Sequence, residues 1–188
     1  MKYSGRFDVN GARDKLSLVL IAGVLPLFLI LVLITPLWIY FTGESFFIST
    51  LLKLAEVQND DLAVLAVSTV SPLRQILLLA ILYLPAGLFA FAIWQGMSVT
   101  RQVRQKQILS RALANSVRNI AIAMLSLGIA LPVCRFLIPL TIAWPGHYYQ
   151  VTLLLGDFVL LLTGGLLLVT FHSLVEGIKA EEENKEFI

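Results

Sequence analysis

Four stretches of this chain, at 16–41, 72–95, 119–142 and 149–175, are apolar, nearly free of charge and long enough to cross a lipid bilayer. A crossing helix needs about 20 predominantly apolar residues, because the hydrocarbon core is about 30 Å thick. The composition follows from those runs. Of 188 residues, 58% are hydrophobic and 14% are charged, with a mean hydropathy of +0.86. A soluble domain is about 45–50% apolar and about 25% charged. An ordinary soluble domain and a disordered chain are both excluded. Four spans consume roughly 80–100 positions, which leaves no room for a separate soluble domain. The expected architecture is a single all-α membrane domain over residues 1–188. It is an integral membrane four-helix bundle with a short surface helix in the first outer loop.

The first run, Leu16 to Phe41, follows a polar start carrying Lys2, Arg6, Arg13 and Lys15. A basic start also suits a secretory signal. The apolar run, however, is far longer than the roughly 7–15 residues of a signal core, and no small-x-small cleavage site follows it. It is expected to be a retained span, kinked or ended by Pro26 and Pro36. Trp38 and Tyr40 suit an aromatic belt at the interface. In the connector 42–71, the apolar stretch Phe46–Leu54 is too short to span and contains Lys53. A short helix on the membrane surface, or packed over the bundle, is expected there. Pro72 with Ser71 before it marks the start of the second span, which Pro85 and Gly87 interrupt. Pro132 and Pro139 fall in the third span. A short turn, Ala143–His147, leads to the fourth, and a charged tail runs from Glu176 to Ile188.

Basic residues orient the spans. Lys and Arg number four before the first span, one in the first connector (Lys53) and five over 96–118. None lie in the turn after the third span, and two lie in the tail. Positively charged segments stay cytoplasmic. Both termini and the 96–118 connector are therefore expected inside, and the 42–71 segment outside.

The chain holds few candidates for chemistry. One cysteine, Cys134, permits no internal disulfide, and two distant histidines, His147 and His172, make no metal site. No nucleophile with a base, phosphate-binding loop or paired carboxylate stands out. Neither catalysis, a metal nor a cofactor is expected. The cytoplasmic connector carries Arg101, Arg104, Lys106, Arg111 and Arg118 without an acid. It is a topology determinant, or a surface for anionic lipid headgroups or an acidic partner. Without interleaved aromatics it does not suit nucleic acid. The tail, with Glu181, Glu182, Glu183 and Glu186, is locally acidic and lies on the same side, so the two surfaces could pair or recruit a charged protein. Small residues recur at Ala86, Ala90, Ala92, Gly96, Ser126, Ala130, Gly164 and Gly165. Ala92-x-x-x-Gly96 and Ser126-x-x-x-Ala130 are small residues four apart, and the set suits close helix packing within one copy, with a homo-oligomer contact as the alternative.

Two charges fall deep in predicted spans, Arg135 and Asp157. A charge at the bilayer centre costs at least about 2.5–3.5 kcal/mol on insertion scales. Each lies about ten residues from the turn at Pro145-Gly146, on opposite sides, so adjacent antiparallel helices bring them to similar depth at about 1.5 Å per residue. An intramembrane ion pair is expected, either structural or part of a buried polar site.

Three features together resemble a known family. Phe91-Ala92-Ile93-Trp94-Gln95-Gly96-Met97-Ser98 leads into Leu109–Asn119 as an aromatic-rich segment, a glycine and a polar stretch entering the third helix. The layout is four spans with a long first outer loop. The tail Glu181-Glu182-Glu183-Asn184-Lys185-Glu186-Phe187-Ile188 is an acidic run closed by apolar residues. In these respects the chain resembles the bacterial domain-of-unknown-function family DUF2975. The resemblance implies a small inner-membrane protein, often encoded beside an XRE-type helix-turn-helix regulator, with no catalytic residues. The function expected is a membrane-anchored regulatory or interaction partner of a cytoplasmic protein. A small transporter or channel subunit acting as an oligomer is the alternative.

Overall fold

A computed structural model describes Val19 and residues 23–56, 71–105, 110–143 and 152–186. Within them the chain is all-α, with helices α1 (Leu25–Phe41), α2 (Glu44–Leu54), α3 (Pro72–Arg104), α4 (Arg111–Ala143) and α5 (Leu155–Glu186). Three of these, α3, α4 and α5, are long and apolar enough to cross a membrane. The first expected span is described from Gly23, apart from Val19. Its helix α1 has 17 residues, or about 26 Å at 1.5 Å per residue.

The long helices outrun the apolar runs. Helices α3 and α4 have 33 residues each and α5 has 32, about 50 Å each. The basic 96–118 stretch is therefore no long connector. Helix α3 continues through Arg104, and α4 begins at Arg111, where Ser110 caps it by accepting the Leu113 N–H at 3.2 Å. The charged tail is also helical, to Glu186. A helix bonds its own backbone, so it continues in water where the side chains turn polar. Hydropathy marks the crossing and not the helix end. At the other end, Ser71 does precede α3, although its hydroxyl makes no capping bond.

The packing also departs from a closed bundle. Helix α1 packs on α3, α3 on α4 and α4 on α5. Among the described residues, α5 comes within packing distance of α4 alone. The helices form a row. In lipid no hydrophobic force closes such a row, because acyl chains satisfy apolar faces as well as another helix does. Leu162, Leu166 and Val169 on α5 are exposed.

Helix α2 sits at the end of the row where α3 starts and α4 finishes. Gly43, at φ 130°, makes the turn into it, a conformation that suits only glycine. Its face of Phe47, Ile48, Leu51 and Leu52 is buried against Leu78 of α3 and Ile138 and Ile142 of α4. Of the two placements open to this segment, it adopts packing over the helices. Glu44 in its first turn and Lys53 in its last complement the helix dipole. Glu44 also accepts a hydrogen bond from Gln75 Nε2 of α3.

Candidate functional site

The polar chemistry concentrates on the seam between α4 and α5. At the α2 end of this seam, Arg135 reaches Asp157 through two parallel bonds, Nη1 to Oδ2 at 2.6 Å and Nη2 to Oδ1 at 3.1 Å. The side chains are 12% and 3% exposed. Asp157 does not lie well inside a helical span, because α5 begins at Leu155. The carboxylate sits in the first turn and itself organises the start. Oδ2 accepts the Leu154 N–H at 2.9 Å, while the Asp157 N–H donates to the Leu154 carbonyl at 3.0 Å. This is the carboxylate half of a capping box, at the helix end that favours negative charge. Arg135 Nη1 also lies 3.5 Å from the Thr152 carbonyl. The pair thus fastens the segment entering α5 to the side of α4.

In the middle of the seam, two glycines admit two leucines reciprocally. A Cβ on Gly128 would meet Leu161 Cγ at 2.7 Å, and one on Gly164 would meet Leu125 Cγ at 2.7 Å. Farther along, the Arg118 guanidinium stands 5.8 Å from the Phe171 ring centroid, within cation–π range. From Arg118 to Leu125 to Gly128, α4 advances by the same steps by which α5 retreats from Phe171 to Gly164 to Leu161. The helices therefore run antiparallel and in register. At the end away from α2, Arg111 Nη2 donates to both carboxylate oxygens of Glu182, at 3.0 and 2.9 Å. The side chains of that pair are 78% and 52% exposed.

The structure thus joins one residue of the basic connector to one of the acidic tail. Arg101 and Arg104 lie exposed on the last turn of α3. Glu181 is half-buried and Glu183 exposed. Lys106 lies outside the described residues, and Glu186 is described in its backbone only. Of the small residues, Ala90 and Ala92 are buried and Gly164 is a contact point. Gly96 and Gly165 have open space where a side chain would sit. The expected pair Ser126 and Ala130 is half-buried. Gly128 was not foreseen, because no small residue stands four positions from it.

The α3–α4 contact is polar at two levels. Ser116 of α4 donates to Ser98 Oγ and accepts from Gln102 Nε2 of α3, both at 3.4 Å, and a second link lies at Pro85. Pro85 has no N–H, so it leaves the Ile81 carbonyl without its helical donor. Cys134 on α4 supplies one, with Sγ 3.5 Å from that oxygen. On α1, Tyr83 of α3 donates to the Leu33 carbonyl at 3.1 Å, three residues before Pro36. His172 is exposed, with Nδ1 2.9 Å from the Leu168 carbonyl, while His147 lies outside the described residues. Among the described residues, no three of His, Cys, Asp and Glu gather as a metal site would require.

Residues 50–188 match the family described as Protein of unknown function (DUF2975). The chain belongs to that family. The DUF2975 match takes in α3, α4, α5 and the second half of α2, and with them the whole α4–α5 seam; α1 precedes it. Neither a curated protein nor a solved structure matches the chain.

Proposed function

We propose that this DUF2975 protein is a non-enzymatic, four-span integral protein of the bacterial inner membrane, with both termini cytoplasmic. Its inner helix ends would dock a cytoplasmic regulatory protein. The observation that carries this reading is helix length. Helices of 32 and 33 residues exceed the hydrocarbon core of about 30 Å by about 20 Å. On the reading, the excess lies on the inner side, where α3 ends, α4 begins and α5 ends. Arg101 and Arg104 lie there on the last turn of α3 and Arg111 on the first turn of α4, all exposed, and basic residues favour the cytoplasm. The apolar run from Leu16 to Phe41, whose described part holds α1, would supply the fourth crossing. The projecting polar helices offer a folded surface to a soluble protein. We place the transporter second, because a row of helices encloses no lumen within one copy.

Two experiments test the two halves. In a Cys134→Ser background, Glu56→Cys should react with an impermeant thiol reagent on intact cells, and Gln105→Cys only after permeabilisation. The reverse at either position overturns the topology. Detergent-extracted protein should capture a cytoplasmic partner in a salt-sensitive way, and Arg101→Gln/Arg104→Gln or loss of the last 12 residues should weaken that capture. Capture indifferent to salt and to both changes overturns the docking role.

A further inference from the structure

Between the Arg111–Glu182 clasp and Arg118, the α4–α5 seam opens into a groove of about 340 Å³. Its floor is apolar, from Ala114, Phe171, Val175 and Ile178, and its rim is polar, from Arg111, Asn115 and Lys179. None of the lining residues is acidic. Glu182 engages Arg111 through Nη2, so that among the described residues this pair does not use Nε and Nη1, the donors a second anion would meet. Lys179 is exposed, and Arg118 stands over Phe171 at the far end. The depth is also informative. Beyond Arg118, α4 is uncharged as far as Arg135, and α5 is uncharged from Phe158 to Val175. The groove therefore straddles the level at which charged helix gives way to the uncharged segment.

We propose that this groove binds one anionic phospholipid of the cytoplasmic leaflet. Its phosphate would lie between Arg111 and Lys179, and the first part of an acyl chain along Phe171, Val175 and Ile178. Basic pockets between spanning helices on this side hold anionic headgroups in this way. Free phosphate would make no use of the apolar floor. A choline headgroup would set its cation against Lys179. The volume falls within the range of about 300–1,000 Å³ usual for small-ligand sites and suits a headgroup and glycerol, with the chains running on along α5. The proposal rests on the membrane-spanning half of the proposed function and is independent of the docking half.

The test uses full-length protein. Retention in membranes after alkaline carbonate extraction is measured first, and release would overturn the membrane reading together with the site. Native mass spectrometry in detergent, with titrated phosphatidylglycerol or phosphatidylcholine, then decides the site alone. We expect the first phosphatidylglycerol to bind at least about tenfold more tightly than phosphatidylcholine. Lys179→Gln should weaken it about fivefold, and Lys179→Gln/Arg118→Gln about 25-fold, from the usual worth of one basic residue near an anionic surface. Lys179→Arg should restore binding. Arg104→Gln, at the same end but outside the groove, should change it less than about twofold. Equal affinity for the two lipids would overturn the proposal. So would an equal loss from Arg104→Gln, which would show diffuse surface charge. Displacement by inorganic phosphate would mark a free-anion site, and displacement by an oligoglutamate peptide a site for an acidic polypeptide; either overturns it.

Discussion

Asp157→Asn would strand the Arg135 guanidinium in a site where it is 12% exposed. The asparagine oxygen can still accept the Leu154 N–H, so the α5 cap survives and the loss isolates the charge. Removing one partner of a buried ion pair costs about 3–5 kcal/mol, because the remaining charge is left uncompensated. Arg135→Met leaves the carboxylate instead. That residue keeps the Leu154 bond and the favourable N-terminus of α5, which can offset up to about 2 kcal/mol, so the loss should be smaller, at about 2–3 kcal/mol. The double variant has no buried charge at all and should cost about 1–2 kcal/mol, less than Asp157→Asn alone, since replacing a whole buried pair is often nearly neutral. The assay is a double-mutant cycle on unfolding in detergent micelles, with the four proteins followed by the same probe. Losses that add to within about 0.5 kcal/mol would show that the two residues do not interact energetically and would refute the argument from depth and pairing.

The glycine seam gives a paired prediction. Gly164→Ala should destabilise by about 1–3 kcal/mol, because the added Cβ meets Leu125 Cγ at 2.7 Å and the Ala121 carbonyl at 3.0 Å. Gly165→Ala, one residue on and in open space, should be neutral or stabilise by up to about 1 kcal/mol; both are read as shifts in micelle melting temperature. Cys134→Ala should cost about 1 kcal/mol in the natural sequence by leaving the Ile81 carbonyl without a donor. It should cost nearly nothing in a Pro85→Ala background, where residue 85 again has an N–H, and the same unfolding assay compares the two. Glu182→Gln should lower stability by less than about 1 kcal/mol, since its pair with Arg111 is exposed and screened, and high salt should erase even that difference.

Helices α3, α4 and α5, long and apolar enough to cross a membrane, were legible because a bilayer would impose one strong rule, a long uncharged run. Where those helices stop was less legible, because beyond the bilayer nothing in hydropathy distinguishes a charged helix from a charged loop. Ser110, three residues before the accepted Leu113 N–H, was the available sign that α4 begins well before Asn119. The approach of Arg135 to Asp157 follows from charges on adjacent antiparallel helices, but the start of α5 does not. The Asp157 carboxylate accepts the Leu154 N–H and sets the start of α5 at Leu155. The glycine pits were legible only in part. A search for small residues four apart finds one helix's surface, whereas Gly128 and Gly164 each match a leucine on the other helix. Cys134 likewise acquires its partner from Pro85, a residue on a different span, and no pattern within α4 indicates it.

The row arrangement explains why these few contacts bear so much of the structure. Among the described residues, helix α5 packs on α4 alone, and on the membrane reading its apolar face gains little by exchanging acyl chains for leucines. What favours α4 over lipid is therefore what lipid cannot supply. That is close backbone approach at Gly128 and Gly164, a donor set for Asp157, and a face for the Arg118 cation. These lie at successive levels along one seam, with the buried ion pair at one end and the exposed one at the other. The two clasps are unequal. The Arg135–Asp157 pair is screened from water and also holds the cap of α5, while Arg111–Glu182 is open to solvent. Fluctuation of α5 should accordingly begin at the Glu182 end and die out toward Asp157. Hydrogen exchange of the α5 amides in micelles would show this as protection rising from Lys179 back toward Gly164. Uniform protection along α5 would mean that the glycine packing, and not the clasps, sets its stability.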